Sequence, residues 1–332
     1  MRIGVYYTPL GRTALQVSRL CLGTLNFGVR TTKDDSFALM DEALARGINF
    51  FDTANQYGWQ VYRGLTEEII GEWFATGGER RDKVVLATKV FNPMSDWPND
   101  QGVSARKMVA SSEETLRRLR TDWIDLYQMH HVDRAAPWEE IWQAMEMLVQ
   151  QGKVRYVGSS NFAGWHLVAA QEAANRRNFL GITSEQCIYN LISRHTEVEL
   201  VPAAVEYGIG VLVWSPLHGG LLGGALRKLE EGTAVKTAQG RAMVALDTHR
   251  DTIAEYEKLC AHNGLDPAEV ALSWTVSRPG VNAIVIGPRT QDHLEGAIRA
   301  LDLQLSEDLL KELDRLFPPV GKGGPAPEAW AW

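Results

Sequence analysis

Four residues in the first 130 positions have types and spacing that suit proton transfer. Asp52 lies at the end of the apolar run INFFD, and Tyr57 follows five residues later. Lys89 ends VVLATK, and His130 ends IDLYQMH. Each has an ordinary use by itself. Asp52 can cap the next segment, and Lys89 can lay its stem along apolar surface. Tyr57 can be a packed aromatic, and His130, followed by His131, an ordinary satisfied histidine. Together they suit something sharper. A lysine behind VVLAT is costly to bury unless a carboxylate pairs with it, and Asp52 is the partner available at the matching level. Hydride delivered to a carbonyl carbon leaves an alkoxide that must be protonated. A phenol, with a pKa of about 10, is a poor acid at neutral pH, and a nearby cation lowers that value. Tyr57 as acid, Lys89 as the charge, Asp52 orienting Lys89 and His130 bonding the substrate oxygen would form a carbonyl-reducing set.

These residues need a frame that brings separate strand ends together. Short apolar runs at 19–24, 48–54, 84–90, 124–130, 154–160, 184–189, 210–216 and 283–287 read as strands. Most are continuously apolar rather than alternating, as strands covered on both faces are. Between them lie helical stretches. In 138–150, Trp138, Ile141, Trp142, Met145, Leu148 and Val149 recur at helical spacing, with Pro137 before and Gly152 after. Asp266-Pro267-Ala268-Glu269 reads as a helix start with a capping box. Eight strands each followed by a helix predict an α/β fold, the (β/α)8 TIM barrel, whose active site sits at the C-terminal strand ends. A doubly wound sheet would be expected to show G-x-G-x-x-G after its first strand, and the chain has none. No linker divides the sequence before the tail at 318–332, so 1–332 reads as one domain. Residues 5–18 read as a hairpin plugging the barrel floor, and 217–248 as a long connection of the functional kind.

Composition narrows the classes. A net charge of −7 without a basic cluster argues against a nucleic-acid partner. No apolar run is long enough to span a bilayer and no secretion signal is recognisable, so the expectation is a cytoplasmic protein without a membrane partner. Cys21, Cys187 and Cys260 are far apart and odd in number, which suits a reducing compartment and argues against a zinc site. A metal-dependent barrel hydrolase would need several His, Asp or Glu at strand ends, and Lys89 occupies a place where a ligand is wanted. We expect no metal.

The motifs FDTANQYG, LATKV, LYQMHHVD, VGSSNF and WSPLHGGLL, in this order and spacing, resemble the aldo-keto reductase superfamily from about residue 9 to residue 316. The resemblance implies an NADP(H)-dependent oxidoreductase acting on a small carbonyl substrate, with Tyr57 as proton donor and Asp52, Lys89 and His130 completing a tetrad. It also implies that Ser160, Asn161 and Gln186 hold the nicotinamide carboxamide and that Trp214 stacks on the ring. Ser215, Leu217, Gly219, Gly220, Leu221 and Leu222 would wrap the pyrophosphate, while Gly287, Arg289 and His293 take the adenosine end. Many members carry glutamine at the place of His293, and glutamate-asparagine where this chain has Gly296-Ala297. Arg289 still offers a charge-assisted partner for a 2′-phosphate, which favours NADP(H) over NAD(H).

The stretches DTANQYGW, YQMHHVDRAAPWEEIWQAM, YVGSSNFAGWH, WSPLHGGLLGGAL and GGPAPEAW further resemble bacterial reductases of nucleotide-linked keto-deoxyhexoses. The substrate pocket would be lined by Phe27, Trp59, Trp97 and His131, and by Trp330 and Trp332 of a tail folded over the barrel mouth. Two alternatives remain: a broad-range aldehyde reductase, and a non-turnover cofactor-binding module like the channel-associated β subunits.

Overall fold

Alternation decides the architecture. In the computed structural model, which describes residues 6–232 and 240–320, eight parallel strands close into a barrel. They are β1 (Leu20–Gly23), β2 (Phe50–Asp52), β3 (Val85–Val90), β4 (Ile124–Met129), β5 (Val154–Ser160), β6 (Ile182–Ile188), β7 (Gly210–Trp214) and β8 (Val281–Ile286). β8 pairs with β1 to close the ring, with Val285 opposite Cys21. Most residues of each strand are buried, on both faces. Leu22, Phe51, Leu86, Tyr127 and Val213 point outward into the main core against the helices. Cys21, Phe50, Val85, Ala87, Leu126, Leu212 and Ala283 fill the barrel interior. The two-sided burial explains why the strands read as unbroken apolar runs.

Side chains along a strand alternate. Inward Phe50 therefore hands the inward direction to Asp52, Ala87 to Lys89, Leu126 to Gln128 and Leu212 to Trp214. The apolar lower layer and the polar upper layer belong to the same face of the same strands.

The helices follow the expected signals. Trp138–Gln150 buries Ile141, Trp142, Met145 and Leu148. Pro267–Val276 starts at Asp266, whose side chain accepts from the N–H groups of Ala268 and Glu269; the Glu269 carboxylate pairs with Arg299 instead of closing the expected capping box. The connection at 217–248 is more helical than expected. It holds a short 3-10 turn at His218–Gly220, a helix at Ala225–Glu230, and the start of a long helix, Gly240–His262. Leu246, Ile253, Tyr256 and Cys260 of that long helix are buried at helical spacing, an apolar stripe hidden among charged residues in the sequence.

At the opposite end, Tyr7–Pro9 and Gln16–Ser18 pair as an antiparallel hairpin. Leu10 and Val17 rise from it into the barrel interior. Gly11 at its tip has φ +54°, and a Cβ there would lie 2.6 Å from the carbonyl oxygens of Gly208 and Thr183. Only glycine fits so close beneath the strand starts. The Arg12 guanidinium donates to the carbonyls of Tyr207 and Leu180, and Asn282 donates to Pro9 O. The floor is closed, as the sequence predicts.

Candidate active site

The polar upper layer assembles from four strand ends. Lys89 Nζ lies 2.5 Å from Asp52 Oδ2, 2.9 Å from the Thr53 carbonyl and 3.4 Å from the Tyr57 hydroxyl. Lys89 and Asp52 are almost wholly buried. The second Asp52 oxygen accepts from Gln186 Nε2 at 2.8 Å and from Gln128 Nε2 at 3.1 Å. The carboxylate thus has one cationic and two amide donors, the satisfaction a buried ion pair requires. Gly158, opposite Gln128 in the ladder, leaves the room: a Cβ there would lie 3.0 Å from Gln128 Cγ.

Tyr57 sits in the turn after β2, where its N–H donates to Ala54 O. Gly58 follows at φ +96°, and a Cβ there would strike Leu65 Cβ at 2.5 Å. This tight return directs Tyr57 over Lys89, with the ammonium 5.1 Å from the ring centroid. His130 is held by its backbone, its N–H donating to Val90 O and its carbonyl accepting from Asn161 Nδ2. Its ring lies edge-on to Tyr57, with centroids 6.1 Å apart, and stacks flat on His131 at 5.1 Å. Asn92 Nδ2 lies 3.1 Å from His130 Nδ1.

The electrostatics distinguish the four groups. Burial opposes the charge on Lys89, but Asp52 and Tyr57 together outweigh it, and its pKa lies above the ordinary lysine value. Burial, then Lys89 and His131, push His130 down to about 2, so its imidazole is neutral at physiological pH. Tyr57 departs from expectation. Burial raises its phenol above the usual tyrosine value, and Lys89 offsets only part of that rise. The phenol therefore holds its proton and is an acid in reserve rather than a phenolate.

Ser160, Asn161, Gln186 and Trp214, expected at the nicotinamide, lie beside this group. The Ser160 hydroxyl donates to Gln186 O. Asn161, in left-handed backbone at φ 60°, donates to Ser160 Oγ and accepts from Trp214 Nε1 at 3.0 Å. Its side chain therefore ties β4, β5 and β7 together. Behind it Glu185, wholly buried, accepts from Ser159 Oγ and from Phe162 N–H, and burial pushes its carboxyl up to about 8 against those donors. After Trp214 the chain turns through left-handed Ser215, His218, Gly219 and Gly220. Ser215 Oγ accepts from Gly219 N–H, and Asn190 Nδ2 donates to Ser215 O. Leu217 is partly buried, and Leu221 and Leu222 are buried below the turn. Gly287 O accepts from Asn26, and His293 Nδ1 accepts from Arg289 N–H at 3.4 Å. Cations crowd here. Partial desolvation, then Arg289 and Lys228, lower His293, while burial and Arg30 lower Arg289.

The pocket residues scatter. Trp59 is 47% exposed and faces Tyr57 at 6.4 Å between ring centroids. His131 stays in the site through its stack on His130. Trp97 is 78% exposed, on a small hollow with Pro98, Asp100 and Arg106. Phe27 needs correction: it is wholly buried in the main core, because the bend after β1 turns it inward beneath Thr66, whose hydroxyl donates to its carbonyl. Trp330 and Trp332 lie outside the described residues. Among the described residues no helix is long and apolar enough to cross a membrane, and no group of three or more His, Cys, Asp or Glu is placed to hold a metal.

Residues 19–317 match the model of the Aldo/keto reductase family. The chain belongs to this family. Among similar proteins is an uncharacterized oxidoreductase, YrpG, of Bacillus subtilis, 52% identical over 98% of this chain and 99% of its own. A probable voltage-gated potassium channel subunit beta of rice is 32% identical over 90% and 91%. A versiconal hemiacetal acetate reductase of Aspergillus parasiticus is 29% identical over 94% and 97%.

Gln128, Asn92, Asn190, Glu185 and Arg30 join the expected residues without being candidates from the sequence. Gln128 had a signal, since it lies two residues before His130 on the same inward parity. Asn190 and Arg30 lie in loops, Asn92 just past β3, and Glu185 within β6 faces away from the inward Gln186, so no spacing ties them to the tetrad.

Proposed function

We propose that the protein is an NADP(H)-dependent reductase of aldehydes or ketones with Tyr57 as proton donor. The reading is carried by one observation: Lys89, fixed by Asp52, brings its ammonium to 3.4 Å from the Tyr57 hydroxyl while the neutral His130 ring faces the same phenol. The residues present fit the nucleotide. Left-handed Ser215, His218, Gly219 and Gly220 after β7 make a turn whose two glycines would let a pyrophosphate approach the backbone closely. Arg30, Lys228 and Arg289 crowd near His293, which suits the extra negative charge of a 2′-phosphate. Ser160, Asn161 and Gln186 would hold the carboxamide and Trp214 the ring, with Ser215 to Leu222 along the pyrophosphate. When bound, the reduced nicotinamide supplies the hydride.

The chain's own residues supply the proton. Tyr57 donates it to the nascent alkoxide, and Lys89 stabilises the phenolate left behind. Asp52 keeps Lys89 charged and aimed. His130 donates a hydrogen bond to the substrate oxygen. Replacing Tyr57 with Phe is expected to lower turnover by about 10²–10⁴-fold while NADPH still binds; near-normal turnover in that variant would sink the mechanism.

For the substrate we propose a keto-deoxyhexose carried on a nucleotide, supported by the sequence resemblance and by the Trp59 ring beside Tyr57, which suits a sugar face. A broad-range aldehyde reductase is the second reading, favoured by the Aspergillus relative's named activity on a hemiacetal acetate. Steady-state NADPH and NADH oxidation across sugar-nucleotide, aryl and aliphatic carbonyls separates the two. Cofactor binding without turnover on any of them would instead favour a non-turnover binding module; one relative, from rice, is named a probable channel subunit beta. We propose a cytoplasmic location, which the buried free thiols of Cys21, Cys187 and Cys260 suit.

A further inference from the structure

We propose that Asn92 is a positioning residue that fixes the tautomer of His130, donating its amide N–H to Nδ1 so that the ring's proton sits on Nε2 and faces the substrate oxygen. The inference rests on the carbonyl-reducing reading. Asn92 follows β3, two residues after Val90, and Val90 O accepts from His130 N–H. Adjacent strands therefore place the Asn92 side chain beside the imidazole, with Nδ2 at 3.1 Å from Nδ1.

The ring has little freedom to answer otherwise. Its backbone is pinned at both ends, by Val90 O and by Asn161 Nδ2. One face is covered by His131, whose ring is nearly parallel at an interplanar angle of 5°, and Phe91 in turn meets His131 edge-on. A neutral imidazole has one N–H and one lone pair. An amide donor at Nδ1 leaves the proton on Nε2, and the 1,3 relation of the two nitrogens aims that N–H away from Asn92. The opposite tautomer would set a lone pair against the carbonyl oxygen, a repulsion where the reaction needs a donor. The charged and titratable groups facing the ring are Lys89 from β3, with Asp52 behind it, Tyr57 from the turn after β2, and its own neighbour His131. None of these supplies a carboxylate to Nδ1. A carboxylate there would orient the ring in the opposite sense.

The consequence is testable because Asp and Leu at position 92 should fail differently. In Asn92→Asp the new carboxylate accepts from Nδ1–H and leaves Nε2 bare, so kcat at pH 8 should fall by about 10²-fold or more. The same carboxylate favours the imidazolium, which donates from both nitrogens, so kcat should recover as the pH is lowered toward 5. Asn92→Leu loses only the aim of the ring, and should cost about 10-fold at every pH. NADPH affinity should stay within about twofold of the parent in both, because the Asn92 amide bonds the His130 ring and not a residue assigned to the nucleotide. Equal pH profiles for the Asp and Leu variants would overturn the proposal. So would a long-range ¹H–¹⁵N spectrum of the unsubstituted protein, without substrate, showing His130 protonated at Nδ1. That spectrum needs no turnover, so it fails or succeeds separately from the assignment of the reaction.

Discussion

Lys89 reaches Asp52 from one inward step higher in the barrel. In the ladder Asp52 lies opposite Ala87, while Lys89 lies opposite Gln128. The lysine stem therefore folds back toward the neighbouring strand, and the ammonium ends between Asp52 below and Tyr57 above. Pairing at the same level, the arrangement expected from sequence, would have left the phenol without its cation. The stagger of barrel strands supplies the difference.

This pair should behave as a buried charge with one main partner. Asp52→Asn keeps an acceptor for Gln128 and Gln186 but leaves Lys89 uncompensated, and should cost about 3–5 kcal/mol. Adding Lys89→Met removes the stranded charge and should recover at least half of that loss without restoring activity. Urea denaturation of both variants checks it, and a double variant no more stable than the single would contradict the pairing.

Two buried groups should bend stability against pH in opposite senses. Glu185 is raised from an ordinary 4.5 to about 8, so between those values the folded state holds more protons than the unfolded chain. That contribution is present at low pH and is lost as the pH rises toward 8. His130 is lowered from 6.5 to about 2, so the unfolded chain holds more protons there. Its contribution is present above 6.5 and is lost as the pH falls toward 2. Glu185→Gln should flatten the alkaline limb of a melting-temperature profile while the acid limb persists.

Arg289 should report on the 2′-phosphate. Arg289→Ala removes a charge-assisted donor, and should weaken NADPH binding by about 10-fold or more with little change for NADH. Fluorescence titration with both nucleotides decides it; equal loss for the two would assign Arg289 to the adenine or ribose instead.

Phe27 and Trp59 should separate core from pocket. Phe27→Ala empties a wholly buried site and should cost about 3–5 kcal/mol. Trp59→Ala, at an exposed ring, should leave stability within about 0.5 kcal/mol and raise KM for the carbonyl. A Phe27 variant of normal stability and altered KM would return Phe27 to the pocket.

Much of this was legible in the chain. The strand runs, the hairpin and the meeting of Asp52, Tyr57, Lys89 and His130 follow from apolar continuity and from polar residues at strand ends, both local in sequence. Phe27 was misplaced because a residue just past a strand end can turn either into the mouth or under the next helix, and only the bend after β1 decides between them. The direction of the Tyr57 shift was misjudged for a related reason. Adjacency to Lys89 is inferable from spacing, whereas the depth of burial that outweighs it is set by the whole surrounding shell. The helix at Gly240–His262 was hidden because its narrow apolar stripe lies among charged residues.

The floor hairpin also gives the molecule a handle. Tyr6 and Tyr7 are exposed at its base, on the face where Gly11 and Arg12 meet the strand starts, so they lie at the far end of the barrel from Tyr57. Coupling to a resin or electrode through a thiol introduced at Thr8 would hold every molecule upside down, with its reactive end toward the solution. Diffusion of small molecules to the Tyr57 end of an immobilised layer would then meet no obstruction from the support.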